Sequence, residues 1–324
     1  MQETLADVLI FRGVNKTYTY RVPDDMTDNH IIGKHVTIPL GYGYSQGLII
    51  AIKINTYEKG TQKNIPEHII ELKTIKSIVK IDDKKPVINK ELIDLVLWFS
   101  SYYHTTPYKA YQTIISSQKL RDIPEKQDSE HEEKKSSLFI LTDEQKHAVH
   151  AILSGTGYSR FLLHGITASG KTEVYIQCSQ AMLKKDKRVI MLVPEIALTP
   201  QFRRVFKERF GSKISVIHSG LTQKERSIEW NRIHQGVAKI IIGPRSAVFS
   251  PVENLGLLII DEEHEPSYKQ ESHPRYLTHQ IAEFRCAYNQ ALLVYGSATP
   301  SIDTYSQSES ESDTPPPYFY SKHA

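Results

Sequence analysis

A loop of glycine and hydroxyl residues carries the clearest chemical signal in the sequence. Residues 165–172 read Gly-Ile-Thr-Ala-Ser-Gly-Lys-Thr, which matches the phosphate-loop pattern in full. Backbone N–H groups of such loops converge on phosphate oxygens, and we expect Lys171 to neutralise the β- and γ-phosphates of ATP while Thr172 holds Mg²⁺. A glycine-rich turn that caps a helix is the alternative, but the apolar run 161–163 before the loop favours phosphate binding. The predicted nucleotide ligands in this loop are Gly165, Ile166, Thr167, Ala168, Ser169, Gly170, Lys171 and Thr172.

An acidic cluster follows a second apolar run and supplies the partner that a phosphate loop needs. The run 257–260 is Leu-Leu-Ile-Ile, and Asp261, Glu262, Glu263 and His264 come directly after it. Because the carboxyl ends of parallel strands meet at one edge of a sheet, we expect Asp261 beside the phosphate loop, binding Mg²⁺, and Glu262 orienting or deprotonating the attacking water. Acidic residues after a strand are more often a solvated loop or a helix cap, and the upstream phosphate loop reverses that preference. Lys171, Asp261 and Glu262 are the predicted catalytic residues.

Three further segments end predicted strands at the same edge. Segment 296–300 offers the hydroxyls of Ser297 and Thr299, which could relay the nucleotide state to a bound polymer. Segment 240–246 ends in Arg245 and Ser246, which are residue types that commonly contact phosphates. Segment 193–201 contains Thr199, which could cap a helix whose N-terminus binds a backbone phosphate. Each segment alone is more often a plain strand–turn, and only their shared position makes them candidates.

Alternating apolar runs and amphipathic stretches must position these loops. Strands are predicted at 160–164, 188–193, 214–218, 239–242, 257–261 and 292–295, and helices at 171–184, 199–210, 222–235 and 277–288. Strands that are apolar on both faces and alternate with helices predict a doubly wound parallel sheet of the α/β class.

A different pattern precedes this region. Strand-like runs at 6–11, 17–22, 35–39 and 47–54 predict a small antiparallel sheet or barrel, and a fifth run follows at 75–81. Apolar residues at helical spacing predict a closing helix at 89–103, with Asn89 as its cap. We therefore expect a small β-rich domain at 1–105, a polar linker at 106–140, the α/β lobe at 141–305 and a disordered tail at 306–324.

Composition limits the class of protein. The chain has 324 residues, and 40 Lys+Arg against 37 Asp+Glu give a formal charge of +3, which permits nucleic-acid binding without demanding it. No run approaches the roughly 18 apolar residues of a membrane span, and the acidic N-terminus is unlike a signal peptide. Two cysteines are too few for a disulfide framework or a zinc cluster. We expect a cytoplasmic protein with no zinc site and no membrane partner.

Residues 141–303 resemble the first motor lobe of a superfamily 2 helicase, and more narrowly that of the primosomal protein N′ (PriA-type) family of replication-restart DNA helicases. The similar segments occur in family order at 165–175, 193–201, 218–221, 243–249, 261–270 (a DEAH-like box) and 296–301. The resemblance implies a RecA-like lobe that uses ATP and Mg²⁺, with Gln145 reading adenine. It also implies an aromatic-rich loop that couples DNA contact to ATP hydrolysis. The residues assigned to coupling are His264, Tyr268, Lys269, Ser297 and Thr299.

The N-terminal domain resembles the same family's domain for binding the 3′ end of a nascent strand at a fork. Thr19 stands where the family commonly has a carboxylate, which removes a strong acceptor for a base or a terminal hydroxyl, whereas Tyr18 keeps a stacking face. Cross-strand packing of Tyr18 and Tyr20 is an alternative that the sequence leaves open. The predicted DNA contacts of the whole chain are Tyr18, Thr19, Gly41, Lys76, Thr199, Arg245 and Ser246.

The resemblance implies an ATP-dependent 3′-to-5′ DNA helicase of replication restart. The implied partners are forked or single-stranded DNA, primosome proteins and single-stranded-DNA-binding protein. The family also has a winged-helix domain, a zinc-binding cysteine cluster and a second motor lobe whose arginines complete the ATP site, whereas this sequence ends soon after segment 296–300. We therefore expect a form truncated after the first lobe, with weak ATPase activity and no unaided unwinding. The alternatives are a non-catalytic fork-binding protein and a degraded or split gene product; a P-loop kinase would explain neither segment 296–301 nor the first domain.

Overall fold

The structure, a computed structural model, describes residues 2–12, 16–26, 31–56, 75–82, 88–115, 140–166 and 169–310. It divides into two compact units, Met1–Ile114 and Ile115–Ala324. The first unit contains the predicted β-rich region, and the second contains the predicted α/β lobe.

The first unit is built on an antiparallel sheet. Its strands are β1 (Gln2–Ile10), β2 (Thr17–Arg21), β3 (His35–Leu40), β4 (Gly43–Thr56) and β5 (Lys80–Ile81), in the order β2-β1-β4-β3-β5. Alternate side chains of these strands, among them Ala6, Val8 and Ile38, pack into an apolar core on one face. The residues just before β5 also pair with β2 at the opposite edge of the sheet, because Arg21 N of β2 donates to Lys76 O at 3.0 Å. Both edges of the sheet are therefore joined, which combines the predicted alternatives of sheet and barrel.

Helices α1 (Lys90–Tyr102) and α2 (Pro107–Ile115) follow the sheet. Asn89 caps α1 as predicted, since its side chain accepts a hydrogen bond from Leu92 N at 3.0 Å. The prediction of a linker from residue 106 is wrong for 107–115. Tyr111 of α2 stacks on Phe11 with ring centroids 4.9 Å apart, and its hydroxyl lies 2.8 Å from His35 Nε2. Burial against the sheet stabilises this short helix, and the rest of the predicted linker, 116–139, lies outside the described residues.

The second unit is built on a parallel sheet. Its strands are β6 (Ser159–His164), β7 (Arg188–Leu192), β8 (Ile214–Val216), β9 (Ile240–Gly243), β10 (Leu255–Asp261) and β11 (Leu292–Ser297), in the order β6-β11-β10-β7-β9-β8. The helices that alternate with them are α3 (Asp143–Ser154), α4 (Lys171–Lys184), α5 (Pro200–Phe210), α6 (Gln223–His234), α7 (Thr278–Asn289) and α8 (Ile302–Ser310). Strands β7 and β10 are buried almost throughout, as expected for strands covered on both faces. The predicted α/β lobe with a parallel sheet is confirmed.

Helix α8 departs from the prediction at the C-terminal end. It continues to Ser310, so the tail predicted to be disordered from residue 306 is helical at its start, and 311–324 lie outside the described residues. Ser301 Oγ accepts a hydrogen bond from Thr304 N at 3.3 Å, a helix-capping contact that the serine-rich composition conceals. None of the helices in the described ranges is long and apolar enough to cross a membrane.

Candidate functional site

The predicted phosphate loop connects β6 to α4 at the carboxyl edge of the parallel sheet. Gly165 N donates to Ser297 O of β11 at 3.1 Å, and Ser169 N donates to Ile166 O at 3.1 Å. Gly170 precedes the first residue of α4 and has φ of +81°, a conformation that favours glycine. The loop therefore ends at a helix N-terminus, where backbone N–H groups lack intrahelical acceptors. Two of the predicted ligands, Thr167 and Ala168, lie outside the described residues.

Gln145 supports this loop from α3. Its Nε2 donates to Ser169 O at 3.2 Å, and its Oε1 accepts from Thr142 N at 3.0 Å in a capping box. A Cβ atom at Gly170 would overlap Gln145 Nε2, so a side chain there would displace the Gln145 amide from its contact with Ser169 O. The structure thus gives the amide of Gln145 a role in positioning the loop, and its predicted contact with adenine stays a prediction.

Lys171 joins the start of α4 to the acidic end of β10. Its Nζ donates to Gly165 O at 2.8 Å and lies 3.9 Å from Glu262 Oε1. Glu262 has φ of +46°, an uncommon conformation for a residue with a side chain, of the kind that concentrates at functional sites. The structure therefore brings together Lys171 and Glu262, two of the three predicted catalytic residues, although they are far apart in sequence.

The third predicted catalytic residue, Asp261, is held by a buried tyrosine. Tyr175 Oη donates to Asp261 Oδ1 at 2.9 Å. Burial raises the pKa of Asp261 above its ordinary value, against the opposing effects of the Tyr175 hydrogen bond and the Lys171 charge. An ionised carboxylate in this position would be stabilised by a divalent cation, and its oxygens are ligands that Mg²⁺ prefers. Thr172 lies in the first turn of α4, and its shared coordination with Asp261 stays a prediction.

Two predicted coupling residues meet between β10 and β11. His264 Nδ1 lies 2.8 Å from Ser297 Oγ and 3.7 Å from Glu262 Oε2. Ser297 Oγ also accepts a hydrogen bond from Thr299 N at 3.0 Å. The imidazole therefore lies between the carboxylate beside Lys171 and the last residue of β11, and its coupling role stays a prediction.

Glu263 links the acidic cluster to α8. Its buried carboxylate accepts hydrogen bonds from Ser301 N at 2.7 Å, from Ser301 Oγ at 3.1 Å and from Thr304 Oγ1 at 2.9 Å. His279 Nε2 lies 3.4 Å from the same carboxylate. Burial opposes ionisation, but the hydrogen bonds from His279, Ser301 and Thr304 outweigh it and hold the pKa of Glu263 below its ordinary value.

The predicted aromatic-rich loop packs directly behind Asp261. Tyr268 Oη donates to Asp261 O at 2.7 Å, and Thr278 Oγ1 donates to Tyr268 O at 2.7 Å. Lys269 forms an antiparallel bridge with Leu277, which closes the loop at the start of α7. A movement of this loop would therefore displace the backbone of Asp261.

Arg245 braces the same loop. Its Nη1 donates to Ser267 O at 3.0 Å and to Lys269 O at 2.6 Å, and its guanidinium lies 5.9 Å from the centroid of the Tyr276 ring. The structure thus reveals an intramolecular role for a residue predicted to contact DNA, and the DNA contact stays a prediction.

The other predicted DNA contacts of this unit lie on neighbouring loops of the same edge. Thr199 caps α5 as predicted, since its Oγ1 accepts from Phe202 N at 3.2 Å. Glu195 Oε1 accepts from Ser219 N at 2.9 Å, which ties the loop after β7 to the loop after β8. Ser246 lies in the short helical turn after β9.

The first unit brings together the segments predicted to bind a 3′ end. Lys76 Nζ donates to Gly41 O at 3.4 Å, and Tyr20 Oη donates to Pro39 O at 3.1 Å. The side chain of Tyr18 is 40% exposed, whereas that of Tyr20 is 5% exposed. Packing therefore accounts for Tyr20, and Tyr18 retains a face that a base could reach.

Thr19 lies on the opposite face of the sheet from Tyr18, because successive side chains of a strand alternate. Its Oγ1 donates to Asp7 Oδ1 at 2.7 Å, and Asp7 Oδ2 pairs with Lys53 Nζ at 2.8 Å. The hydroxyl of Thr19 is therefore engaged by Asp7, and the predicted contact of Thr19 with DNA stays a prediction.

Sequence reasoning did not assign roles to Tyr175, Glu263 or Gly296, although each contacts the predicted site. For Tyr175 a signal was available, because it lies one helical turn after Lys171 and so shares its face of α4. For Glu263 and Gly296 the partners come from distant segments, and no local spacing indicates them.

The sequence matches two families of known proteins. Residues 142–307, just over half of the chain, match the family described as DEAD/DEAH box helicase. Residues 7–116 match the family described as 3′DNA-binding domain (3′BD). The two matches fall on the two units of the structure.

Several curated proteins are similar to the chain. Replication restart protein PriA of Bacillus subtilis (strain 168) is 48% identical over 179 residues, which cover 54% of this chain and 22% of that protein. Its namesake in Treponema pallidum (strain Nichols) is 34% identical over 292 residues, covering 90% of this chain and 43% of that protein. Replication restart protein PriA of Chlamydia pneumoniae is 32% identical over 382 residues, covering 93% of this chain and 49% of that protein. The matches therefore span less than half the length of these curated relatives.

Proposed function

This chain belongs to the DEAD/DEAH box helicase family, and from that premise we propose that it provides the ATP-binding lobe and the 3′-end-binding domain of an ATP-dependent 3′-to-5′ DNA helicase of replication restart. The observation that carries the proposal is the approach of Lys171 Nζ to within 3.9 Å of Glu262 Oε1 at the N-terminus of α4. Helicases of the family use a nucleotide with Mg²⁺, and the matched 3′DNA-binding domain supports DNA as a partner.

We assign the nucleotide phosphates to the N-terminus of α4. The first-turn N–H groups and the positive end of the helix dipole both stabilise an anion there. Lys171 adds a full positive charge. In the structure its ammonium group donates to the neutral carbonyl of Gly165 at 2.8 Å. A phosphate oxygen is a stronger partner for an ammonium than a carbonyl, so this charge favours nucleotide binding.

We assign Mg²⁺ to Asp261 and Thr172. Burial disfavours the charged form of Asp261 and raises its pKa, and a cation would offset that cost. When bound, Mg²⁺ would neutralise charge on the phosphates. Glu262 is partly exposed, so water can reach its carboxylate, and we assign it the task of orienting or deprotonating the attacking water.

DNA would contact both units. In the first unit Tyr18, Gly41 and Lys76 would hold the 3′ end, and in the second the loops after β7 and β9 would contact the strand through Thr199, Arg245 and Ser246. His264 and the loop behind Asp261 would couple this contact to the nucleotide. The remaining coupling residues are Tyr268, Lys269, Ser297 and Thr299. We further propose action in the cytoplasm with primosome proteins and single-stranded-DNA-binding protein.

Titration of a fluorescent ATP analogue in the presence of Mg²⁺ tests the nucleotide site. We expect Lys171→Ala to weaken binding at least about 10-fold, because it removes a charge-assisted hydrogen bond. Lys184→Ala is the matched control, since Lys184 is exposed at the other end of α4, roughly 20 Å away. Equal binding by wild type and Lys171→Ala would contradict the assignment. A chain that binds forked DNA but no ATP would favour the non-catalytic fork-binding protein.

A further inference from the structure

The β3–β4 hairpin of the first unit carries two exposed tyrosines at its tip. Tyr42, in the turn, is fully exposed, and Tyr44, near the start of β4, is 66% exposed. Burying an aromatic ring is strongly stabilising, and neither ring gains that benefit here. Tyr20 of the same unit, by contrast, has a buried ring and a hydroxyl bonded to Pro39 O. Core packing therefore does not explain the two tyrosines at the tip.

The backbone beside these rings is both fixed and open. Leu40 pairs with Gly43 and Pro39 pairs with Tyr44, so the strands hold the tip in register. A Cβ atom built on Gly41 or Gly43 would meet no atom within 4 Å. A flat group can therefore approach the rings from the side of the turn without displacing protein atoms.

A positive charge lies at the base of the same turn. Lys76 Nζ is 3.4 Å from the carbonyl oxygen of Gly41, the residue that directly precedes Tyr42. Exposed aromatic rings beside a cation are the combination with which proteins bind single-stranded nucleic acid, since the rings stack on bases and the cation attracts the phosphates. The pairing of charge and rings favours a strand of DNA over an apolar protein partner.

We propose that Tyr42 and Tyr44 form a base-stacking platform for single-stranded DNA, continuous with the 3′-end contacts assigned to Gly41 and Lys76. The inference rests on the proposed function and adds a separate contact to it, to unpaired nucleotides next to the strand end. Stacking tolerates every base, because every base has a π-face. The platform therefore raises affinity for a single strand without reading its sequence.

Fluorescence anisotropy with the full chain and two labelled probes tests the platform. One probe is an oligothymidine of about 12 nucleotides, and the other has the same number of phosphates and the same 3′-terminal thymidine but abasic sugars elsewhere. We expect Tyr42→Ala/Tyr44→Ala to weaken binding of the oligothymidine about 10-fold and to leave the abasic probe unchanged. Tyr42→Phe/Tyr44→Phe should bind both probes like wild type, because it keeps the rings.

Ile54→Ala is the matched control, since Ile54 is 60% exposed on the same strand and lies roughly 33 Å from the tip. Equal losses on both probes would overturn stacking, and so would undiminished oligothymidine binding by the alanine pair. If wild type binds neither probe, the DNA-binding part of the proposed function fails and the platform fails with it. Wild-type binding that resists the alanine pair refutes the platform alone.

Discussion

The hydroxyl of Tyr175 donates a 2.9 Å hydrogen bond to Asp261 Oδ1 and so joins α4 to the end of β10. Gly296 of β11 lies against the same pair, because a Cβ atom there would overlap the Tyr175 hydroxyl and lie 3.3 Å from Asp261 Oδ1. Three elements from separate parts of the sequence meet at this contact. The carboxylate assigned to Mg²⁺ is therefore positioned by a neutral, buried donor.

Replacing Tyr175 with Phe tests this contact. We expect a loss of about 1–3 kcal/mol in the free energy of unfolding, because a buried carboxylate oxygen loses its donor. Urea denaturation measures the loss, and Tyr288→Phe, at an exposed position on α7, provides the control. Wild-type stability in Tyr175→Phe would show that the hydroxyl does not support Asp261.

Gly296→Ala should displace the Tyr175 hydroxyl. Overpacking of a filled core costs about 1–3 kcal/mol, and we expect a loss of stability in that range. Adding Tyr175→Phe removes the overlapping oxygen, so the double variant should lose less than the two single losses together. Strictly additive losses in denaturation experiments would locate the strain elsewhere.

Glu263→Gln should reveal a pH-dependent contribution to stability. Its folded pKa is lowered by hydrogen bonds that outweigh burial, so ionised Glu263 stabilises the fold above its unfolded pKa of about 4.3. That contribution is lost as the pH falls through the folded pKa. The stability difference between wild type and Glu263→Gln should therefore be largest near pH 7 and shrink below about pH 4.

Urea denaturation at a series of pH values measures this difference. Glu208→Gln is the control, since Glu208 is exposed on α5 and its ion pair with Arg204 is worth little. A difference between wild type and Glu263→Gln that does not change with pH would contradict the role assigned to the ionised carboxylate.

Lys76→Ala should weaken DNA binding through the phosphates. Loss of one phosphate contact should lower the slope of log affinity against log salt by about 0.7–1 and leave sequence preference unchanged. Anisotropy titrations over a salt series measure the slope, with Lys90→Ala on α1 as the control. An unchanged affinity and slope would remove Lys76 from the DNA site. The alanine pair at Tyr42 and Tyr44 should leave the slope as it is, because the rings carry no charge.

The sequence by itself determined the local elements that carry the site. The phosphate-loop pattern located the start of α4 at Lys171, and the apolar run before the acidic cluster located Asp261 at the end of β10. The caps at Asn89 and Thr199 were also predictable, because a cap depends on residues within one turn. Such signals are local, so they can be recognised in the sequence without knowing the rest of the fold.

Only the tertiary structure decided which side chains meet. Tyr175 reaches Asp261, Glu263 reaches Ser301, and Arg245 reaches the carbonyls of Ser267 and Lys269, all across long stretches of sequence. Helix α2 also escaped prediction, since its stability comes from burial against Phe11 rather than from its own composition. These contacts exist because the folded chain brings distant segments within hydrogen-bonding or van der Waals distance. Local spacing placed Tyr175 on the face of Lys171, but no local pattern identifies the distant partner that any of these residues meets.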